Sequence, residues 1–196
     1  DPADIGRSYE AVIRVNSQSG KGGVAYLLET EYGIELPRRL QIDLARRVQR
    51  HADNFGSEVT AKDIWNIFQH SYLDTSAGRK VELTSYETSD HEGHNSTRIT
   101  LKIRGEIHVS VHNGIGPVEA LTATLAAHRI RIDVLDLHQT SIGQGNNTEA
   151  LTVIEYRHRG EVAWAAGKAS SVLAASMAAV IRAANASGQD EGLAGR

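Results

Sequence analysis

The chain has 196 residues, no cysteine and few aromatic residues. Without cysteine, disulfide bonds and thiolate metal sites are excluded. Aromatic residues make up only 5% of the chain, so a buried core must be built mainly from valine, isoleucine, leucine and alanine. The lack of cysteine fits a cytoplasmic protein, which is the location that we expect.

Long hydrophobic runs and a strong charge of either sign are also missing. No run approaches the roughly 20 apolar residues that cross a bilayer, and no secretory signal pattern is seen. The net charge is −3, with both signs mixed and no basic stripe of the kind that binds nucleic acid. We therefore expect neither a membrane nor a nucleic acid as a partner.

Methionine occurs once, at Met177, and the sequence opens with Asp1-Pro2. We expect a processed chain or a piece of a longer protein from which a preceding element has been removed. The length allows one or two compact domains.

The first part of the chain predicts two strands joined by a glycine turn. Residues 9–18 and 24–31 are rich in strand-forming residues, and residues 19–23 read Ser-Gly-Lys-Gly-Gly. This turn lacks the G-x-x-x-x-G-K-[ST] spacing of a phosphate loop and is predicted to join strand to strand. We therefore expect no nucleotide site there.

Two predicted helices follow, and each has a recognisable start. Pro37 stands in the first turn of a helix that is predicted to end near His51. Thr60 and Asp63 form a T-x-x-D signal, in which the carboxylate faces backbone donors of the first helical turn. The composition then loosens, so we place a domain boundary after residue 78 and treat residues 1–78 as strand-turn-strand followed by two helices.

Residues 79–186 predict three strands and a helix, twice over, in modules 79–129 and 130–186. Polar residues 90–97 predict a loop within the first module, and the first strand of the second module is expected over residues 130–137. Residues 187–196 are expected to form a flexible tail.

An internal repeat supports the two modules. Arg104-Gly105-Glu106 recurs 55 residues later as Arg159-Gly160-Glu161, and at the same offset Val118 matches Leu173. We therefore expect an α+β fold in which α/β subdomains precede two βββα modules related by a pseudo-twofold axis.

The segment Gly114-Ile115-Gly116-Pro117 opens the helix of the first module. Free N–H groups and the helix dipole favour a negative charge at such a start, and glycine allows a ligand to approach the backbone. The carboxylate of a free amino acid would fit. A plain strand-to-helix turn that needs glycine dihedrals explains the same residues, and both interpretations stay open.

Histidines give no clear metal site. His91 and His94 lie in the predicted loop without a third ligand, and His108 and His112 are interpreted as strand residues. No catalytic triad, zinc-protease or dinucleotide-binding signature is present. The residues alone indicate no self-sufficient active site.

Several segments resemble one family. Residues 5–26 (IGRSYEAVIRVNSQSGKGGVAY) and 36–44 (LPRRLQIDL) resemble the linker region of actinobacterial-type 2-isopropylmalate synthases. Residues 61–65 (AKDIW) are similar to the family's second linker subdomain, and residues 114–120 (GIGPVEA) resemble a signature of its leucine-regulatory domain. The resemblance covers nearly the whole chain and is strongest in the first part.

The resemblance implies a parent enzyme that condenses acetyl-CoA with 2-oxoisovalerate in the first committed step of leucine synthesis. A divalent metal (Zn, Mg or Mn) in a TIM barrel would polarise the keto acid. That N-terminal catalytic barrel of the same protein would lie before Asp1, so this chain alone is expected to be inactive and to hold no metal or other cofactor.

The resemblance also implies a homodimer, in which the linker of one subunit reaches over the barrel of the other. Tyr26 would then lie near the partner's active site. The alternative is a strand aromatic residue that packs on the linker helices.

For residues 79–186 the resemblance implies a LeuA-type allosteric dimerisation domain with L-leucine as effector. Apolar side chains would enclose the isobutyl group, and the glycine-rich helix start would receive the carboxylate. The effector-binding positions carried over are Gly114, Gly116, Val118, Val134, Leu137, Ser141, Thr148 and Val172.

This half departs from the family pattern. Ile115 stands where the glycine signature has asparagine, Asp136-Leu137 replaces Asp-Tyr, and Ser171-Val172 replaces Asp-Ile. The loop that usually carries an aspartate reads Gly145-Asn146-Asn147-Thr148. These departures bear on leucine affinity and feedback strength, whereas the linker motif is intact.

Other functions remain open. The chain could be a free-standing amino-acid-binding dimeric module, or the regulatory part of a citramalate synthase that senses isoleucine, or belong to a homocitrate synthase. The linker motif favours 2-isopropylmalate synthase.

Overall fold

The computed structural model describes residues 12–14, 20–55, 58–73, 79–143 and 148–187. The chain divides into two compact units, Asp1–His70 and Ser71–Arg196. Within the described residues, no helix combines the length and apolarity needed to cross a membrane. The domain limits at residues 78 and 186 remain predictions.

The first unit combines a small antiparallel sheet with helices. Its two strands pair with each other. A π-helical turn over Gln69–Leu73 continues the last helix past the end of this unit at His70. The elements in order are β1 (Val12–Arg14), α1 (Gly20–Tyr32), α2 (Arg38–Phe55), β2 (Glu58–Thr60) and α3 (Ala61–Phe68).

The predicted strand over residues 24–31 is wrong, because this segment belongs to α1. Val24, Leu27 and Leu28 are buried, and their spacing of three and four residues is that of one helix face. The predicted glycine turn is wrong as well, since Gly20–Gly23 forms the first turn of this helix. The spacing argument against a phosphate loop stands, but the strand-to-strand argument does not.

The helix predicted after Pro37 is confirmed, although it runs four residues beyond His51. Leu40, Leu44 and Val48 are fully buried at helical spacing. This apolar stripe lets α2 pack on α1 and α3.

The helix start predicted at Thr60 is confirmed in atomic detail. The backbone N–H of Asp63 donates to Thr60 Oγ1 at 3.1 Å, and the backbone N–H of Thr60 donates to Asp63 Oδ2 at 3.0 Å. The Thr60 hydroxyl also donates to Asp63 Oδ2 at 2.7 Å. These bonds stabilise the carboxylate and lower the pKa of Asp63, the side-chain hydrogen bond from Thr60 being the main cause.

We expect Asp63→Asn to lower the free energy of unfolding of the first unit by about 1 kcal/mol at pH 7. The lowered pKa means that this stabilisation is present above the ordinary value of 3.8 and is lost as the pH falls through the folded-state pKa. The difference between wild type and variant should therefore shrink at acid pH. Urea unfolding at pH 7 and at pH 3 measures this difference. Unfolding is followed by the fluorescence of Trp65, in proteins in which Trp164 is replaced by Phe.

The matched control for this experiment is Asp53→Asn, near the exposed end of α2. It removes the same charge without touching a helix start and should change stability by less than about 0.5 kcal/mol. A destabilisation by Asp63→Asn that is as large at pH 3 as at pH 7 would contradict the assignment.

The second unit has the order of three strands and a helix, twice, which confirms the α+β class. Its strands form two antiparallel three-stranded sheets, β3-β4-β5 and β6-β7-β8. The elements are β3 (Val81–His91), β4 (His94–Ile103), β5 (Glu106–Asn113), α4 (Pro117–Ala127), β6 (Asp133–Ile142), β7 (Glu149–His158), β8 (Glu161–Ala169) and α5 (Val172–Ser187).

The sequence repeat coincides with these elements. β4, β5 and α4 begin at residues 94, 106 and 117, and β7, β8 and α5 begin 55 residues later at 149, 161 and 172. The two Arg-Gly turns match as well, with φ of 49° at Arg104 and 50° at Arg159. The pseudo-twofold axis remains a prediction.

The predicted loop over residues 90–97 is wrong. β3 and β4 pair to the end of the hairpin, where His91 lies opposite His94. Only Glu92 and Gly93 form the turn, and both have positive φ, as a tight hairpin turn requires. The polar residues here belong to paired strands rather than to a loop.

The structure also defines where β6 and the last helix begin. The strand expected over residues 130–137 is β6, which starts at Asp133 and continues through the polar residues to Ile142. The last helix is capped by Ser171, whose Oγ accepts from the N–H of Ala174 at 3.1 Å.

The two modules share one hydrophobic core. α4 packs on β4 and β5, α5 packs on β7 and β8, and the two helices contact each other. The core contains buried residues of both modules, among them Leu101, Leu121, Ile154 and Val180.

Asn185 joins the last helix to the first strand of this unit. Its Oδ1 accepts from the N–H groups of Lys80 and Val81 at 2.9 and 3.0 Å, and its Nδ2 donates to the carbonyl of Val81 at 2.8 Å. Asn185 is buried, so losing these partners would leave its amide unsatisfied.

Gly167 on β8 lies directly against α5. A Cβ atom at this position would collide with the carbonyl oxygen of Ala175 and the backbone nitrogen of Ala179. The helix backbone thus packs on the strand backbone, and no larger residue fits unless α5 moves.

We expect Gly167→Ala to destabilise the second unit by about 3 kcal/mol or more, because the clash is with backbone atoms. Gly116→Ala is the matched control: a Cβ there meets nothing within 4 Å. Thermal unfolding should show a large drop in Tm for the first variant and a small change for the second. Equal effects would contradict the packing argument.

Candidate effector site and interaction surface

The glycine-rich corner between β5 and α4 is held by backbone geometry. Gly114 has a φ of +75°, which residues with a side chain rarely adopt. Its N–H donates to the carbonyl of Asn95 at 3.0 Å. Gly116 is the N-cap of α4 and has an ordinary φ of −72°. Gly114 is therefore needed for the turn, whereas Gly116 leaves open space where a side chain would stand.

Glu119 already faces this helix start. The N–H of Gly116 donates to Glu119 Oε2 at 3.4 Å, a long bond on an exposed surface. Glu119 thus supplies a negative charge next to the positive end of the helix dipole. A ligand that binds here with its carboxylate would compete with this contact, while its ammonium group would find an acceptor in Glu119.

The positions expected on β6 lie near the start of α5. Gln139 Nε2 donates to Ser176 Oγ at 3.2 Å, and Ser176 Oγ donates to the carbonyl of Val172 at 2.8 Å. Leu137 and Ser141 are two residues on either side of Gln139 and so share its face of the strand. The structure therefore brings Leu137, Ser141 and Val172 to one side of the second module.

The expected positions also differ in how far they are buried. Val118 and Val134 are partly buried and pack against the shared core. Thr148 is exposed immediately before β7, and Val172 is exposed at the first turn of α5. Gly114, Gly116 and Val118 thus belong to the first module, and the other expected positions belong to the second.

A polar network lies beside the glycine corner, and no pattern in the sequence predicted it. Thr124, buried on α4, donates to the carbonyl of Ala120 at 2.8 Å. Its oxygen also lies 2.7 Å from Ser110 Oγ and 2.9 Å from His112 Nε2. The strand interpretation of His112 is confirmed, and the network fixes α4 on β5 because each polar group has a partner.

Tyr26 lies on α1 and is 64% exposed. The alternative expectation, a strand aromatic residue packed on the linker helices, is wrong, because the side chain points away from the buried face of α1. An exposed tyrosine can contact another subunit or domain, and the described residues of this unit assign it no chemical role.

β5 exposes an apolar stripe along a sheet edge. Ile107, Val109 and Val111 are 57%, 56% and 50% exposed and alternate with residues that face α4. Their cross-strand neighbours on β4 are Lys102, Thr100 and Arg98. Edge strands with exposed apolar side chains are typical association surfaces, since they offer unpaired backbone groups as well.

The described residues gather no group of three or more His, Asp or Glu side chains that could hold a metal ion. His91 and His94 flank the β3–β4 turn, and their side chains lie outside the described set.

A two-module α+β unit with a glycine-opened helix and an exposed apolar edge has the features of a small regulatory association domain. Comparison with known families gives the same class. Residues 58–187 match the LeuA allosteric (dimerisation) domain, and residues 1–29 match the alpha-isopropylmalate synthase post-catalytic domain-like family. The chain belongs to the LeuA allosteric (dimerisation) domain family.

Its relatives are named 2-isopropylmalate synthase. The chain is 40% identical over 188 residues to the enzyme of Parafrankia sp., which covers 94% of this chain and 33% of the relative. It is 42% identical over 185 residues to that of Thermobifida fusca (94% and 32%) and 38% identical over 186 residues to that of Mycobacterium leprae (94% and 31%). The chain thus spans about a third of the length of the curated relatives that it matches.

Proposed function

We propose that this chain is the linker and leucine-binding regulatory part of a 2-isopropylmalate synthase, located in the cytoplasm. The observation that carries the proposal is the match of residues 58–187 to an allosteric dimerisation domain, together with relatives of that name along 94% of the chain. The condensation of acetyl-CoA with 2-oxoisovalerate, and the divalent metal for it, would belong to a catalytic barrel outside this chain.

Leucine would bind where the glycine corner presents N–H groups. Its carboxylate would accept from the start of α4 near Gly116, and its ammonium group would pair with Glu119, which already contacts that N–H. Leu137 and Val172 offer exposed apolar surface for an isobutyl group. Because these residues belong to different modules, binding would favour one arrangement of the modules over others, as allosteric control requires.

A second copy of the chain is the occupant that we propose for the apolar stripe of β5. The family description includes dimerisation, and the stripe combines three exposed apolar side chains with a strand that forms the edge of its sheet among the described residues. Tyr26 would serve in the same dimer, close to the active site of the partner's barrel. Its exposure on α1 is compatible with that role.

Isothermal titration tests leucine sensing. L-leucine should bind the 196-residue chain saturably and more tightly than L-isoleucine or L-valine. Leu137→Ser should weaken leucine binding by about tenfold, as loss of apolar contact predicts. The matched control is Leu135→Ser on the same strand, with 42% exposure against 36% for Leu137.

Each outcome of this titration has a distinct meaning. Preference for isoleucine would favour the regulatory part of a citramalate synthase instead. Equal weakening by Leu135→Ser would remove Leu137 from the site. Absence of binding by all three amino acids would reject leucine sensing by this chain.

Val109→Glu should convert a dimer to monomers in analytical ultracentrifugation, because a carboxylate would be buried in the apolar contact. The folded monomer should tolerate the change, since Arg98 and Lys102 lie diagonally across β4. Val162→Glu is the control: it places a carboxylate on β8, in the other sheet, opposite Arg157 of β7. A dimer that survives Val109→Glu would exclude this surface as the interface.

A further inference from the structure

The two modules of the second unit build the contact between the last strand and the covering helix in different ways. At the repeat offset of 55 residues, Gly167 of β8 corresponds to His112 of β5, and Ala179 of α5 corresponds to Thr124 of α4. Both pairs therefore occupy the same place in their modules, so the residues at this place can be compared directly.

In the second module this contact is made by backbone atoms. A Cβ atom on Gly167 would collide with the carbonyl oxygen of Ala175 and the backbone nitrogen of Ala179, so β8 and α5 touch without a side chain of Gly167 between them. Protein interiors are close-packed, and such a contact leaves the helix no room to approach the strand further. The position of α5 on its sheet is therefore set by shape.

In the first module a pair of hydrogen-bonded side chains fills the same place. His112 Nε2 lies 2.9 Å from Thr124 Oγ1, so an imidazole ring and a hydroxyl group stand where the second module has glycine and alanine. α4 accordingly approaches the backbone of β5 much less closely than α5 approaches that of β8. The position of α4 is therefore set by hydrogen bonds, which depend on direction and distance.

The hydrogen atoms of this network can be assigned. The carbonyl oxygen of Ala120 can only accept, so its 2.8 Å contact with Thr124 Oγ1 takes the single hydroxyl hydrogen of Thr124. Thr124 Oγ1 then accepts from both other neighbours, Ser110 Oγ at 2.7 Å and His112 Nε2 at 2.9 Å. A neutral His112 is thereby fixed as the tautomer with its hydrogen on Nε2. Because Thr124 is buried, removing its oxygen would leave two donors without this acceptor.

The network adjoins the glycine corner on both sides. His112 lies two residues before Gly114, whose N–H donates to the carbonyl of Asn95 at 3.0 Å. Thr124 lies about two helical turns after Gly116, the N-cap of α4. A change in the contact between His112 and Thr124 would therefore move the end of β5 and the start of α4 relative to each other.

We propose that Thr124 is a positioning residue of the effector site: through His112 and Ser110 it sets the place of α4, and with it the glycine corner, on β5. This inference rests on the proposed binding of leucine at that corner. A ligand that contacts the start of α4 can shift this helix, because adjustable hydrogen bonds hold it, whereas close packing holds α5. The first module is thus the movable half of the regulatory unit, and the second module is its fixed half.

The test compares Thr124→Val with Thr124→Ser. Valine keeps the shape and removes the hydroxyl group, so the Gly114 N–H should exchange with solvent about fivefold faster in NMR, and L-leucine should bind about tenfold more weakly in calorimetry. Serine keeps the hydroxyl group and should restore both values to within about twofold. Thr122→Val is the matched control on the same helix, since the Thr122 hydroxyl donates to the carbonyl of Glu119 at 2.9 Å, within α4 itself.

His112→Leu is a second variant for the case that Thr124→Val does not fold. It breaks the same contact, while the Thr124 hydroxyl keeps its bonds to Ala120 and Ser110. Exchange at Gly114 should again be faster. His112→Gln, whose amide nitrogen can donate from the place of Nε2, should restore the slow exchange.

The outcomes separate this proposal from the proposed function. Nitrogen chemical shifts of the imidazole should place the hydrogen of neutral His112 on Nε2, and a hydrogen on Nδ1 alone would overturn the network. Unchanged exchange at Gly114 in Thr124→Val and His112→Leu, or an equal change in Thr122→Val, would overturn the positioning role. If the wild-type chain does not bind leucine, the proposed function fails, and the exchange rates still decide whether Thr124 positions the corner.

Discussion

The direct packing of α5 on β8 is the constraint on which the second unit depends. Because Gly167 has no side chain, the helix backbone lies against the strand, and buried residues from Met177 to Ala184 enter the shared core. α5 contacts α4, which in turn covers β4 and β5. A displacement of α5 would therefore be transmitted to the glycine corner at the start of α4.

Local signals in the sequence predicted much of the fold. The Thr60–Asp63 pair marked a helix start, and the repeated Arg-Gly-Glu aligned the modules because turns depend on neighbouring residues only. α1 was missed because its glycines and valine resemble a strand with a turn until burial reveals the helical face. The network of Ser110, His112 and Thr124 was missed because its residues come from a strand and a helix that only the tertiary fold brings together.

The bonds of Asn185 bring the beginning and the end of the two-module unit to one place. Lys80 precedes its first strand, and Asn185 lies two residues before the end of its last helix, yet the Lys80 nitrogen and Asn185 Oδ1 are 2.9 Å apart. A force applied to the chain at Lys80 would therefore be transmitted to α5 through the hydrogen bond between Lys80 and Asn185. The same proximity makes the unit suitable for circular permutation, with a short linker closing residues 187 to 80 and new termini at the β6–β7 connection.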